Sequence, residues 1–115
     1  MRRGEIRWID LEPARGAEAD KRRPGVVVSN NGANAAAERL GWGVVTVVPL
    51  TTNVAQVQPF QVLLDSTGSG LSRLSKAQAE QVRSVSVERV GAVVGRLQPD
   101  ELDDLDSALA LHLGL

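Results

Sequence analysis

Lys21-Arg22-Arg23-Pro24-Gly25-Val26-Val27-Val28-Ser29-Asn30 sets three cations directly before a proline and a run of valines. Three consecutive β-branched residues bounded by turn formers read as a strand buried on both faces or nearly so. Pro24 suits the first position of such a strand, where its missing N–H is tolerated. The residue before a proline is pushed towards extended geometry, so Arg23 is expected to be extended too. A guanidinium is thereby held at the rim of a rigid strand, at the mouth of the preceding loop. That is a suitable place to grip a phosphate. The plain alternative is a solvated charge cluster flanking a core strand.

Upstream, residues 12–23 have no apolar period. They form a polar connection that is long for a compact domain, and such loops are often functional. Gly16 offers it a hinge or a position of positive φ. Before it, residues 3–11 alternate. Ile6, Trp8 and, less regularly, Leu11 fall on one side, and Glu5, Arg7 and Asp10 on the other, with Ile9 breaking the pattern. This is a half-buried strand, with Trp8 as core or rim packing.

Downstream, Asn30-Asn31-Gly32 signals a turn. Ala33 to Leu40 predicts two helical turns closed by Gly41, with Trp42 packing nearby. Gly43 to Leu50 is a second β-branched strand, ended or bulged by Pro49. Thr51-Thr52-Asn53 follow it; their hydroxyls and amide either satisfy a turn or face a ligand. Pro59 to Asp65 is a further strand and Ser66 to Ser72 a loop. Residues 75–85 are ambiguous: Lys76 to Gln81 has helical propensity and Val82 to Val85 prefers extended geometry. Ser86 to Val90 makes one short turn, and Gly91 to Leu97 is the last strand. The C-terminal segment is the clearest helix. Pro99 suits its first position, and Asp100 and Glu101 suit the positive end of its dipole. Leu102, Leu105, Leu109 and His112 recur at helical spacing, and Gly114 closes it. Six or so short strands and one late helix predict a mostly β fold, a small antiparallel barrel with one or two short helices besides the C-terminal one.

A chain of 115 residues is expected to be one domain spanning 1–115. It has no cysteine, which excludes disulfides and thiolate metal sites. No apolar run approaches the roughly 20 residues of a membrane span. Met1-Arg2-Arg3 is not followed by an apolar signal core, so a cytoplasmic protein is expected. The net charge of −1 hides an asymmetry. Residues 98–115 hold five acids and no Lys or Arg, which leaves 13 bases against 9 acids in residues 1–97, a balance of +4. A basic body suits a polyanion.

The only histidine, His112, lies on the apolar stripe of the last helix and reads as a packing residue. No serine–histidine or cysteine–histidine nucleophile is therefore available. Scattered carboxylates make no dedicated metal site, and there is no phosphate-binding glycine loop, so neither metal nor cofactor is expected. What remains is a basic loop, a Thr-Thr pair and a few carboxylates. That set suits binding RNA, or cleaving it where the RNA supplies its own nucleophile.

Four stretches together resemble the MazF/Kid/PemK endoribonuclease toxins of type II toxin–antitoxin systems. They are Arg3-Gly4-Glu5-Ile6 with Trp8 and Asp10-Leu11-Glu12-Pro13; Gly16-Ala17-Glu18 running into Arg23-Pro24-Gly25-Val26-Val27-Val28; Val48-Pro49-Leu50-Thr51-Thr52; and Glu80-Gln81-Val82-Arg83-Ser84-Val85. Each motif alone is weak, but their order and spacing match along nearly the whole chain. The resemblance implies an SH3-like barrel, usually a homodimer, and a strand over residues 77–85. It implies metal-independent, sequence-specific cleavage of single-stranded RNA such as mRNA, by attack of the substrate's 2′-hydroxyl to leave a cyclic phosphate. Its partner would be an antitoxin whose acidic tail covers the RNA groove.

By the same resemblance Arg23 aligns with a catalytic arginine and Thr51 with a catalytic threonine. Glu18 aligns with a loop glutamate important in some members, and Glu80 with a carboxylate that is usually aspartate. Lys21 and Arg22 would bind flanking phosphates, with Thr52 beside them, and Asn53, Gln81 and Ser84 would read bases. Some relatives carry a histidine where this chain has Ala17; here Glu18, Arg23 acting as acid, or water would serve instead. Two other readings stand beside this one. A CcdB-like DNA gyrase poison of the same barrel would act through its C-terminal helix, and a non-catalytic RNA-binding barrel would bind without cutting.

Overall fold

Five consecutive β-branched residues, Val44 to Val48, form the spine of the fold. The computed structural model describes all of residues 1–115. Its elements run β1 (Glu5–Asp10), β2 (Arg22–Val27), α1 (Asn31–Leu40), β3 (Val44–Thr51), β4 (Gln61–Leu64), β5 (Ser75–Gln78), β6 (Arg83–Ser86), β7 (Val90–Arg96) and α2 (Pro99–Leu113). The strand order is β4-β5-β3-β2-β1-β7, every pairing is antiparallel, and β6 lies beside the first half of β3. The mostly β, antiparallel architecture with a C-terminal helix is the one expected. No helix is long and apolar enough to cross a membrane.

β3 changes partners along one edge. Val44 to Val47 pair with β6, and Leu50 and Thr51 pair with β5. Pro49, which has no N–H to give, sits at the switch. The segment expected as one strand over 77–85 is accordingly two strands. A 3-10 turn at Ala79–Gln81 carries the chain from one end of β3 to the other, with Ala79 fully buried. This bend curls the sheet.

The central strands are buried on both faces. Ile6, Val26, Val48 and Leu50 join Leu64, Ala77 and Leu105 in one cluster under α2. Ile9, Leu11, Val45 and Val47 join Ala19, Ala37 and Val85 in the second. Ile9 thus does not break a pattern. Ile6 packs in the first cluster and Ile9 in the second, so β1 sends apolar side chains to both, and Ile9 is 1 % exposed. Trp8 is the rim residue. Gly25 permits the tight stacking here, since a Cβ would lie 3.0 Å from Ile9 Cγ1 and 3.3 Å from the Val48 carbonyl.

α1 begins at Asn31 instead of Ala33, because the Asn30 side chain accepts from the Ala33 N–H at 2.8 Å and caps the helix. Trp42, expected to pack, is exposed: Gly41 ends α1 in the left-handed region and the chain turns away. α2 buries Leu105 and Ala108 and rests Leu102 and Leu109 on the core. His112 falls beyond that contact, exposed, with the Phe60 ring 6.0 Å away between centroids.

Candidate active site

Pro24 opens the site. β2 pairs with β1 back to Arg22, but with β3 only as far as Gly25 opposite Pro49. Beyond that pair Pro24 offers no N–H to continue the ladder to β3, so it stands inside β2 with one neighbouring strand rather than at its first position. The strand ends leave a recess of about 210 Å³ lined by Lys21, Arg22, Arg23, Pro24, Leu50, Thr51, Thr52 and Ser75. Five of the ten residues singled out from the sequence therefore meet in one place.

Register explains the meeting. Continuing the β2–β3 pairing two residues sets Arg23 across from Thr51, and Thr51 pairs in turn with Lys76 of β5. Alternation puts one row of side chains on one face, so a hydroxyl stands between two cations. The Thr51 Oγ1 accepts from the Asn53 N–H at 3.2 Å. Its own proton is left to donate, as an anionic oxygen requires.

Arg23 is half-buried and held. Its Nε donates to the Asp20 carbonyl at 2.7 Å and its Nη2 to Asp20 Oδ1 at 2.8 Å. Lys21 stands in the left-handed region at φ 64°, which is unusual for a side chain of its size. It is fixed there at both ends. Its N–H donates to Glu12 Oε1 at 2.6 Å, and its carbonyl accepts from the Leu11 N–H at 3.0 Å. Arg22 borders the recess, and its guanidinium carbon lies 5.3 Å from the Trp8 ring centroid.

The other five expected residues lie off the recess. Glu18 is exposed in the β1–β2 loop, with Oε1 accepting from the Arg15 N–H at 3.1 Å. Gln81 braces that loop: its Oε1 accepts from Ala19 N–H and its Nε2 donates to the Ala17 carbonyl, each at 2.9 Å. Glu80 accepts from Gln61 Nε2 at 2.7 Å through Oε2, while its Oε1 is buried without a partner. Asn53 follows Thr52, and its N–H is the one on Thr51 Oγ1. Ser84 pairs with Thr46, five residues along β3 from Thr51 and so about 17 Å away at strand spacing.

Three residues at the site went unremarked in the sequence. Asp20 orients Arg23; its place three residues before that arginine was the available signal. Lys76 completes the row, and its Nζ donates to the Gln56 carbonyl at 2.6 Å. Ser75 lines the recess. Two carboxylates elsewhere are held below the ordinary carboxylate range, and neither lines the recess. Glu38 is held by its hydrogen bond from the terminal ammonium, and Asp65 by the N–H of Thr67.

The model of a protein family described as PemK-like, MazF-like toxin of type II toxin-antitoxin system matches residues 2–113. Endoribonuclease MazF9 of Mycobacterium tuberculosis is 60 % identical over 115 residues, covering all of this chain and 98 % of that one. Among solved structures, MazF (Form-I) from Deinococcus radiodurans superposes with a TM-score of 0.82 at 26 % identity, covering 100 % and 97 % of the two chains. An endoribonuclease in complex with its cognate antitoxin, from a mycobacterial species, gives 0.79 at 24 % identity over 100 % and 96 %.

Proposed function

The chain belongs to the PemK-like, MazF-like toxins of type II toxin–antitoxin systems and is an endoribonuclease of that family, and on that basis we propose that it cuts single-stranded RNA at the recess between β2 and β3. The observation that carries the proposal is the meeting of Lys21, Arg22 and Arg23 with Thr51 and Thr52 around one recess at the open end of the sheet. Cations and hydroxyls border a space where a phosphate fits, and neither histidine nor cysteine lines it to make a side-chain nucleophile.

The chemistry that suits this set is transesterification within the RNA. The substrate's 2′-oxygen attacks the adjacent phosphorus, and its proton is lost. The 5′-oxygen departs and takes up a proton, leaving a 2′,3′-cyclic phosphate and a 5′-hydroxyl. No water and no metal enter the balance. Because nucleophile and phosphorus belong to one chain, holding them in line supplies much of the rate. The need for a 2′-hydroxyl selects RNA over DNA. Arg23 and Thr51 are the catalytic pair: the guanidinium and the hydroxyl stabilise charge gathering on the non-bridging oxygens. Lys21 and Arg22 hold flanking phosphates, with Thr52 at the recess wall. Glu18 and Glu80 are carboxylates for proton transfer, Glu18 on the loop and Glu80 behind β5. Asn53, Gln81 and Ser84 are assigned to base recognition; the bonds of Gln81 to Ala17 and Ala19 favour loop support for that residue. The protein works in the cytoplasm as a homodimer, and an antitoxin with an acidic tail inhibits it by competing for the cations around the recess.

The test is to incubate the protein with a long single-stranded RNA in EDTA and map the 5′ ends of the products. Discrete cuts bearing 5′-hydroxyls are expected. Intact RNA at every protein concentration would refute the proposal.

A further inference from the structure

Arg23 reaches the recess already engaged on one side. A guanidinium presents its five N–H groups as two forks, a side edge of Nε with Nη2 and an end edge of Nη1 with Nη2. Asp20 fills the side edge completely, its carbonyl on Nε at 2.7 Å and its Oδ1 on Nη2 at 2.8 Å. Only the end edge remains for a phosphate.

Asp20 is itself held from both directions. Before it, Ala19 is 7 % exposed, packed in the core cluster beneath the loop, with its N–H on Gln81. After it, Lys21 is fixed by Glu12 and Leu11. The backbone that carries the carboxylate, and with it the carbonyl on Nε, is therefore held on both sides.

A negative charge beside a phosphate-binding group is costly. It repels the polyanion and lowers the local positive potential that draws RNA in. Nothing about binding RNA explains its presence; orientation of the guanidinium does. A free arginine side chain has several rotatable bonds, and its fork is useful only when planar with the oxygens it meets. We propose that Asp20 is a positioning residue for RNA cleavage, fixing the side edge of Arg23 so that its end edge meets the scissile phosphate. The inference rests on Arg23 being the group that binds that phosphate.

Its signature is a split between binding and rate. Loss of the carboxylate removes repulsion and orientation together. Binding is kept or improved while the chemical step slows. Asp20→Ala removes the acceptor on Nη2, which an amide would keep, and the residue is half exposed, so the variant keeps its fold, which a thermal melt verifies. Single-turnover cleavage of a short RNA carrying a mapped site should then slow about tenfold at saturation, with the half-saturating protein concentration unchanged or lower. In an Arg23→Lys background the same change should have no further effect, because lysine has no side edge to hold.

The outcomes separate two failures. If Arg23→Ala cuts as fast as wild type, the assignment of the catalytic arginine fails, and the role of Asp20 with it. If Arg23→Ala is inactive but Asp20→Ala cuts at the wild-type rate or faster when saturated, only the role of Asp20 falls. A slowing of equal size in the Arg23→Lys background would also overturn it, because the effect would then not pass through the guanidinium.

Discussion

Two loops border the recess, and they are held in opposite ways. Residues 11–21, between β1 and β2, are tied down at nearly every turn. Leu11 and Glu12 grip Lys21, Gln81 brackets Ala17 and Ala19, Ala19 is buried, and Arg89 donates to the carbonyls of Asp10 and Glu12. Residues 52–60, between β3 and β4, are mostly exposed, and their ties beyond adjacent residues are few: Lys76 on the Gln56 carbonyl and the Phe60 ring near His112. The first loop delivers Arg23; the second follows Thr51. Preorganised charge is what stabilises a transition state, and backbone with few anchors is what can adapt to different bases. On the proposed function, rate would belong to the first loop and sequence preference to the second.

The largest effect should come from the residue that the first loop serves. Arg23→Ala is expected to lower kcat on the order of 100- to 1,000-fold with the melting temperature preserved. Gel-resolved cleavage rates measure it, and a loss below threefold would remove the contrast altogether. Next comes the brace. Gln81→Leu leaves the partly buried Ala19 N–H without its acceptor, at a cost of about 1–3 kcal/mol. Cleavage should slow and trypsin should cut sooner after Arg15. Unchanged protection at Arg15 would show that the loop is held by something other than this amide.

The second loop gives a smaller and different effect. Lys76→Met frees Gln56 and removes one cation from the row. The set of sequences cut should broaden while the rate at the best site stays within about threefold, read by mapping 5′ ends across a long RNA. A uniform loss at all sites would make Lys76 a member of the catalytic group instead. The smallest effect lies away from the recess, at Asp65. The Thr67 N–H holds its carboxyl below the ordinary range, so the folded state favours the ionised form. That stabilisation is present above the unfolded carboxylate value and disappears as the pH falls through the lower folded one. Asp65→Asn should thus lower the melting temperature slightly at pH 7, and not at all in strong acid, with cleavage unchanged. A melting difference that persists in acid would point to packing rather than charge.

What could be read in the sequence follows from whether a feature is local. The valine runs, the capped C-terminal helix and the late strands carry their signals in adjacent residues, and the architecture followed from them. Ile9 and Trp8 were harder. Both faces of β1 are covered, so alternation there says nothing about inside and outside. The strand at 77–85 broke in two because β3 needs two partners on one edge, a demand absent from the propensities of Ala79 to Gln81. Arg23 and Thr51 were legible from resemblance, and register later explained why they are neighbours. Asp20 and Lys76 were not, since their places beside Arg23 and Thr51 come from a loop fold and a cross-strand pairing that no local pattern encodes. Gln81 looked like a base reader because a free amide and a bonded one are identical on paper.

Lys21 shows what such a site asks of its backbone. Its φ of 64° is a conformation that glycine adopts freely and that costs an ordinary residue roughly 1–2 kcal/mol. A designer seeking heat resistance would replace it with glycine and would gain stability. The same change would discard a cation at the mouth of the recess. At position 21 durability and affinity for a polyanion compete for one residue, and a search guided by melting temperature alone would select the poorer toxin.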